Sequence, residues 1–180
     1  MYMNIVTRVA HILVQPNSEW PIIKREETSL QSLYLQYVAI LAVIPAIGSF
    51  IANAFVGTLS GGRVDIGNAF GAAVMGYVVS LVMVFVVALI ADSLAPGFGG
   101  RKNIDRALKL TAYSMTPAWV AGAFAFIPVL GLLITLLGGL YALYLFYLGA
   151  PVLMKTAESK TIGYTAVVVA IAIVITFVMS

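Results

Sequence analysis

From residue 110 to residue 154, about forty-five consecutive positions carry no charged side chain. As one helix rising 1.5 Å per residue, this stretch would reach roughly 65 Å, about twice the hydrocarbon core of a bilayer, so it has to fold back on itself. The turn is expected at Phe126-Ile127-Pro128. Three further uncharged runs, residues 28–62, 66–91 and 161–180, are each long enough to cross a membrane once. The expected fold is an all-α membrane protein, a bundle of five transmembrane helices over residues 33–180. A cytoplasmic amphipathic segment of short helices over residues 1–32 precedes it. A β-barrel would need strands of about ten residues alternating apolar with polar, whereas these runs are continuous.

The cations test the crossing count independently of hydropathy. Arg8, Lys24 and Arg25 precede the first span, Arg101, Lys102, Arg106 and Lys109 lie between the second and third, and Lys155 and Lys160 lie between the fourth and fifth. Only Arg63, in the glycine-rich loop of residues 57–65, falls on the other side. Cytoplasmic loops collect Lys and Arg, so the N-terminus is expected inside and the C-terminus outside a prokaryotic inner membrane. An even number of crossings would mix the two sets. The formal charge of +3 does not point to nucleic acid, because the basic residues form no continuous basic-aromatic surface. Anionic headgroups on the cytoplasmic side are the expected partners, with a second copy or another membrane protein as a further possibility.

Near the N-terminus, Asn4, Arg8, His11 and Gln15 recur at helical spacing while Ile5, Val6, Val9, Ile12 and Leu13 fill the other face. This reads as a short helix in the cytoplasmic interface, ended by Pro16. A second helix is expected over residues 19–27, capped by Ser18, with Trp20 as a headgroup anchor. Glu19, Glu26 and Glu27 are expected to balance Arg8, Lys24 and Arg25 near the headgroups. Within the spans, Pro45 should kink the first. Gly67 with Gly71 and Ala72 with Gly76 offer small-residue faces on the second, Gly131, Gly138 and Gly139 on the fourth, and Ala166 with Ala170 on the fifth.

Chemistry has few places to sit. No cysteine is present and His11 is the only histidine, so thiol chemistry and His-based metal or catalytic constellations are excluded within one chain. No cofactor is expected, nor enzymatic activity. Asp92, at the cytoplasmic end of the second span, is the carboxylate nearest the hydrocarbon, with Arg101, Lys102 and Arg106 as prospective salt-bridge partners. Asn103 can cap the following helix, on which Asp105 and Lys109 stand four apart. Asn53 is a polar residue inside the first span. Tyr113, Ser114 and Pro117 form a set in which proline opens the helical ladder three residues after a hydroxyl that could cap the freed carbonyl.

At this point the chain resembles the Yip family of membrane proteins, specifically a prokaryotic member. Ala112-Tyr113-Ser114-Met115-Thr116-Pro117 is similar to that family's Gly-Tyr-Ser-x-x-Pro motif, with Ala in place of the first Gly. Gly99-Gly100, Ile127-Pro128-Val129-Leu130-Gly131 and Leu140-Tyr141-Ala142-Leu143-Tyr144-Leu145 extend the likeness, as do Pro16-Asn17-Ser18-Glu19-Trp20, Ile23 and Glu26. The resemblance implies five spans with a cytoplasmic N-terminus. Eukaryotic relatives are associated with Rab-type GTPases and carry Asp-Leu-Tyr-Gly-Pro before the first span. Here Asp92-Ser93-Leu94-Ala95-Pro96 has the Asp-to-Pro spacing but follows the second span, so that role is not carried over. The expected function is non-enzymatic organisation of membrane or partner proteins. The alternative is a small-solute or ion transporter with a path near Asp92 and the Pro117 kink.

Overall fold

A computed structural model describes residues 4–57 and 62–179. Residues 58–61 of the loop expected to carry Arg63, and the terminal residues 1–3 and 180, lie outside the described residues. The described chain is helical throughout: α1 (Ile5–Val14), α2 (Pro16–Arg25), α3 (Leu30–Val56), α4 (Ile66–Leu94), α5 (Ile104–Ser114), α6 (Thr116–Gly122), α7 (Leu130–Leu153) and α8 (Thr161–Met179). Local chemistry sets several of the starts. Asn4 Oδ1 accepts from Val6 N at 3.0 Å, Ser29 Oγ from Ser32 N at 3.1 Å and Asp65 Oδ2 from Gly67 N at 3.0 Å. The second helix starts three residues earlier than the Ser18 cap implied, because Pro16 both stops α1 and occupies the first turn of α2. Ser18 Oγ instead donates back to Gln15 O.

Four helical stretches are long and apolar enough to cross a membrane: Leu30–Val56, Ile66–Phe98, Leu130–Leu153 and Glu158–Val178. The segment expected as the third crossing is not one helix but two, α5 and α6, hinged at Met115. Pro117 has no N–H to offer Tyr113 O, and the Thr116 hydroxyl donates to that carbonyl instead, at 2.8 Å. The helix break was legible, but the capping hydroxyl is Thr116 rather than Ser114. Its partner α7 runs antiparallel to the broken pair along the whole length. Leu110 lies against Gly149, Pro117 and Ala121 against Gly138, and Phe124 against Gly131. The turn between them spans residues 123–129, as the position of Pro128 implied.

Helix α3 lies antiparallel to α4. Tyr34 OH donates to Leu81 O at 2.5 Å, Tyr77 OH to Ala39 O at 3.1 Å, and Phe50 meets Phe70 edge-on. Helix α3 also crosses α6 where Pro45 sits on Gly122: a Cβ at Gly122 would lie 2.4 Å from Pro45 Cβ, and one at Gly48 would lie 2.1 Å from Gly122 O. Two π-helical turns, Tyr34–Val38 and Ala52–Val56, lie within α3 near its ends, and nothing in the sequence pattern announced them. Helix α8 closes the bundle against α4 and α7, with Tyr164 OH donating to Ala91 O at 2.7 Å and its ring between Phe98 and Phe146.

The outward surface is apolar: Leu132, Leu136 and Leu137 on α7 and Ile173 and Phe177 on α8 are more than half exposed. Such a surface suits hydrocarbon rather than water. Packing between helices relies on small residues only in part. Gly131 and Gly138 meet neighbours, but Gly71, Gly76 and Gly139 have nothing near them, and Ala166 and Ala170 are exposed. On α8 the packed face is that of Thr161, Tyr164 and Val168.

Candidate functional site

The ionic centre of the molecule lies where α1 and α2 fold onto the bundle. Arg8, expected on a solvated stripe, is 4 % exposed. Its guanidinium forks, Nη1 donating to Glu19 and Nη2 to Glu26, while Cζ stands 5.5 Å above the Tyr113 ring. Glu19 is buried too, and its second oxygen lies 3.5 Å from His11 Nδ1. Of the expected balance between Glu19, Glu26 and Glu27 and Arg8, Lys24 and Arg25, the ion pairs among the described residues include only Arg8 with Glu19 and Glu26, and these are enclosed by protein rather than spread among headgroups. Trp20, expected as a headgroup anchor, is likewise buried, its ring against Gly149.

Lys109 extends this centre from α5. It does not pair with Asp105; Nζ reaches across to Ile23 O at 3.3 Å and to Glu26 O. These are carbonyls of the last turn and C-cap of α2, where a cation complements both the unpaired acceptors and the negative end of the helix dipole. One step deeper, Tyr37 OH meets Thr116 Oγ1 at 2.7 Å, and Tyr37 and Tyr113 pack edge to face at 4.6 Å. Since the Thr116 proton is engaged by Tyr113 O, Tyr37 is the donor of that pair.

Beside this network a polar cavity of about 520 Å³ is lined by Arg8, Glu26, Glu27, Gln36, Tyr37 and Tyr113 among others. A neighbouring cleft of about 390 Å³ carries Lys24, Asn103, Asp105, Arg106 and Lys109. Glu26, Glu27 and Thr28 border both. Among the described residues no cluster of His, Asp and Glu is arranged to hold a metal ion.

The residues singled out from sequence do not share one surrounding. Asp92, half-buried at the end of α4, forms no ion pair with Arg101, Lys102 or Arg106 among the described residues. Its Oδ1 accepts from Asn103 N at 2.5 Å, and Asn103 Oδ1 in turn accepts from Arg106 N at 2.9 Å, as an N-cap. Asp92 therefore fixes the start of α5. Arg101 and Lys102 are exposed, and Arg106 is half-buried in the cleft. Tyr113 faces the polar cavity, whereas Ser114 lines a separate apolar one. Pro117 packs against Gly138, and Asn53 sits in the π-turn at the opposite end of α3, its carbonyl accepting from Val64 N at 3.0 Å. No shared path joins Asp92, Pro117 and Asn53 in these contacts. Sequence reasoning missed Arg8, Glu19, Lys109, Tyr37 and Thr116 as one unit. The available signal was Arg8, a charge on a helix whose remaining residues are mostly apolar.

The loop before α5 is built to match the end of α7. Gly99 has φ +78°, and a Cβ on Gly100 would lie 2.6 Å from Met154 O. That close approach lets Arg101 N donate to Met154 O at 2.9 Å and Ala157 N to Phe98 O at 3.1 Å.

Comparison with known proteins agrees with this architecture. The chain is 24 % identical over 176 residues to the inner membrane protein YohC of Escherichia coli K12, covering 94 % of this chain and 90 % of the relative. The YohC protein of Escherichia coli O6:H1 matches to the same extent. No solved structure matches. The family model of the Yip1 domain matches residues 10–179, and the chain is thus a multi-pass integral membrane protein belonging to the Yip1 family.

Proposed function

We propose that the protein is a non-enzymatic organiser of the inner membrane, crossing it five times and holding anionic headgroups at its cytoplasmic end. The observation that carries this reading is the rim formed by the loops at residues 98–102 and 154–160. Backbone bonds tie these loops together, and Arg101, Lys102, Lys155 and Lys160 are all exposed on them. Among the described residues the ion pairs belong to the buried Arg8 centre, so the rim cations are open to phosphate. An inner-membrane relative supports the location.

Five crossings are supported by the same backbone bonds. If α7 crosses and the α5–α6 pair does not, residues 101 and 154 would end on opposite faces, yet they are hydrogen-bonded. The 19 residues from Ile104 to Gly122 also rise about 28 Å, close to the bilayer core.

The test is retention of phosphatidylglycerol and cardiolipin by the purified protein in native mass spectrometry, against Arg101→Glu/Lys102→Glu/Lys155→Glu. The triple variant is expected to lose most anionic lipid while keeping its melting temperature. Equal retention would refute the headgroup role. Deleting α1 is a poorer test, because it would strip the partner from buried Glu19.

A further inference from the structure

Helix α1 has three faces rather than two. Ile5, Arg8, Val9 and Ile12 turn into the bundle. Asn4, His11 and Gln15 form an exposed polar edge, and Val6, Ala10 and Val14, each four residues from the next, form an exposed apolar one. Val6 and Val14 are 71 % and 76 % exposed, so docking of α1 on the bundle leaves this second apolar stripe bare. A helix with protein on one side, polar groups on another and bare hydrocarbon on the third suits the boundary between water and lipid.

Two contacts fix where that boundary runs. The Arg8 guanidinium lies over the ring of Tyr113, nine residues beyond Ile104, and Leu13 O accepts from Tyr141 OH at 2.7 Å, twelve residues before Leu153. Helices α5 and α7 are antiparallel and meet at the bonded rim of residues 101 and 154, so at 1.5 Å per residue both anchors lie about 14 to 18 Å along the helices from it. Helix α1 therefore runs across the bundle, nearly parallel to the bilayer plane and below the rim. Arg8 reaches this level because protein encloses it and Glu19 and Glu26 pair it, and the polar cavity it borders brings water to that flank. The bare stripe adjoins hydrocarbon instead: Leu137, Leu140 and Tyr144, on either side of Tyr141 along α7, are exposed. We propose that α1 is a wedge in the rim-side leaflet, its Val6–Ala10–Val14 stripe resting on acyl chains, and that it gives the protein a preference for membrane convex on that side. Its ten residues make a cylinder about 15 Å long and 10 Å wide. At the other end, the turn of residues 123–129 provides no matching element among the described residues. The wedge rests on the five-crossing reading but not on headgroup binding, since the stripe has no charge.

The test uses the full-length protein, which has no cysteine of its own, in phosphatidylcholine vesicles with a nitroxide on Val6→Cys, Val14→Cys or His11→Cys. Relaxation by dissolved oxygen against a nickel chelate is expected to place the two valine positions in hydrocarbon and His11 in water. Nickel access at the valines, or closure of both to both reagents, as a covering second copy would produce, would overturn the wedge. That readout needs neither the crossing count nor the headgroup site, so its failure is separable from theirs. Curvature is read by orientation. The fraction of molecules whose Lys102→Cys reacts from outside with a membrane-impermeant maleimide should be higher in small sonicated vesicles than in large extruded ones. Val6→Asp/Val14→Asp should remove that difference while leaving thermal unfolding unchanged, because both side chains are exposed. An outward fraction independent of vesicle size, or a difference that survives in the double variant, would overturn the curvature preference.

Discussion

At Arg8 one side chain holds three parts of the molecule together: its own helix α1, α2 through Glu19 and the Glu26 cap, and the bundle through the Tyr113 ring. A buried pair of this kind adds modest net stability, yet removing one partner strands the other charge at a cost of about 3–5 kcal/mol. Arg8→Met is therefore expected to lower stability by about that amount, and Glu19→Gln added to it should restore part of the loss by neutralising the stranded carboxylate. Thermal unfolding in detergent followed by circular dichroism checks both, and an Arg8→Met protein as stable as wild type would contradict the buried network. The sequence showed a helix with Asn4, Arg8, His11 and Gln15 along one stripe, and that helix is present. It could not show that a neighbouring helix would cover part of the stripe, because burial of Arg8 depends on carboxylates 11 and 18 residues away. The hydroxyl at the proline break is a different case: a helical hydroxyl reaches back three or four residues, so Thr116, three residues after Tyr113, meets the carbonyl that Pro117 leaves free, and Ser114, one residue after it, does not.

At the scale of helices, existence and approximate extent were legible because continuous apolar runs admit little else in a membrane. Faces were not, since in lipid both sides of a helix read as apolar and a glycine four residues from another does not say which neighbour it serves. Adjacent glycines on α7 separate the two roles. A Cβ at Gly138 would stand 2.4 Å from Ala121 Cβ and 2.8 Å from Pro117 O, whereas Gly139 faces open space. Gly138→Ala should push α6 away from α7 and cost about 1–3 kcal/mol, the range for overpacking. Gly139→Ala should be neutral or gain up to about 1 kcal/mol from helix propensity. Unfolding of the two variants in parallel, by titration with sodium dodecyl sulfate, decides the matter. Equal effects would mean that the α6–α7 contact is not as close as described. The break at Met115 also belongs to this scale: α5 and α6 can each tilt to their own neighbours, α5 toward α4 and α6 toward α3.

For the whole molecule, the outward surface is hydrocarbon, the buried ion pairs among the described residues gather at the Arg8 centre, and the loops sort by charge. Arg101, Lys102, Lys155 and Lys160 gather at one end, where residues 98–101 and 154–157 are joined by backbone bonds; Arg63 and the α6–α7 turn lie at the other. Because the chain contains no cysteine, single cysteines can report on each end without background. Lys102→Cys and Lys155→Cys should react with a membrane-impermeant maleimide only after the inner membrane is opened. Arg63→Cys and Val129→Cys, the latter 65 % exposed in the turn before α7, should react in intact spheroplasts. The pairings matter more than any single result. Were the α5–α6 pair only to dip into the bilayer while α7 crosses, Val129 would share the side of Lys102, and Lys155 would fall on the opposite side from it. That pattern would break the backbone link between residues 101 and 154, and with it the shared basic rim on which headgroup binding depends.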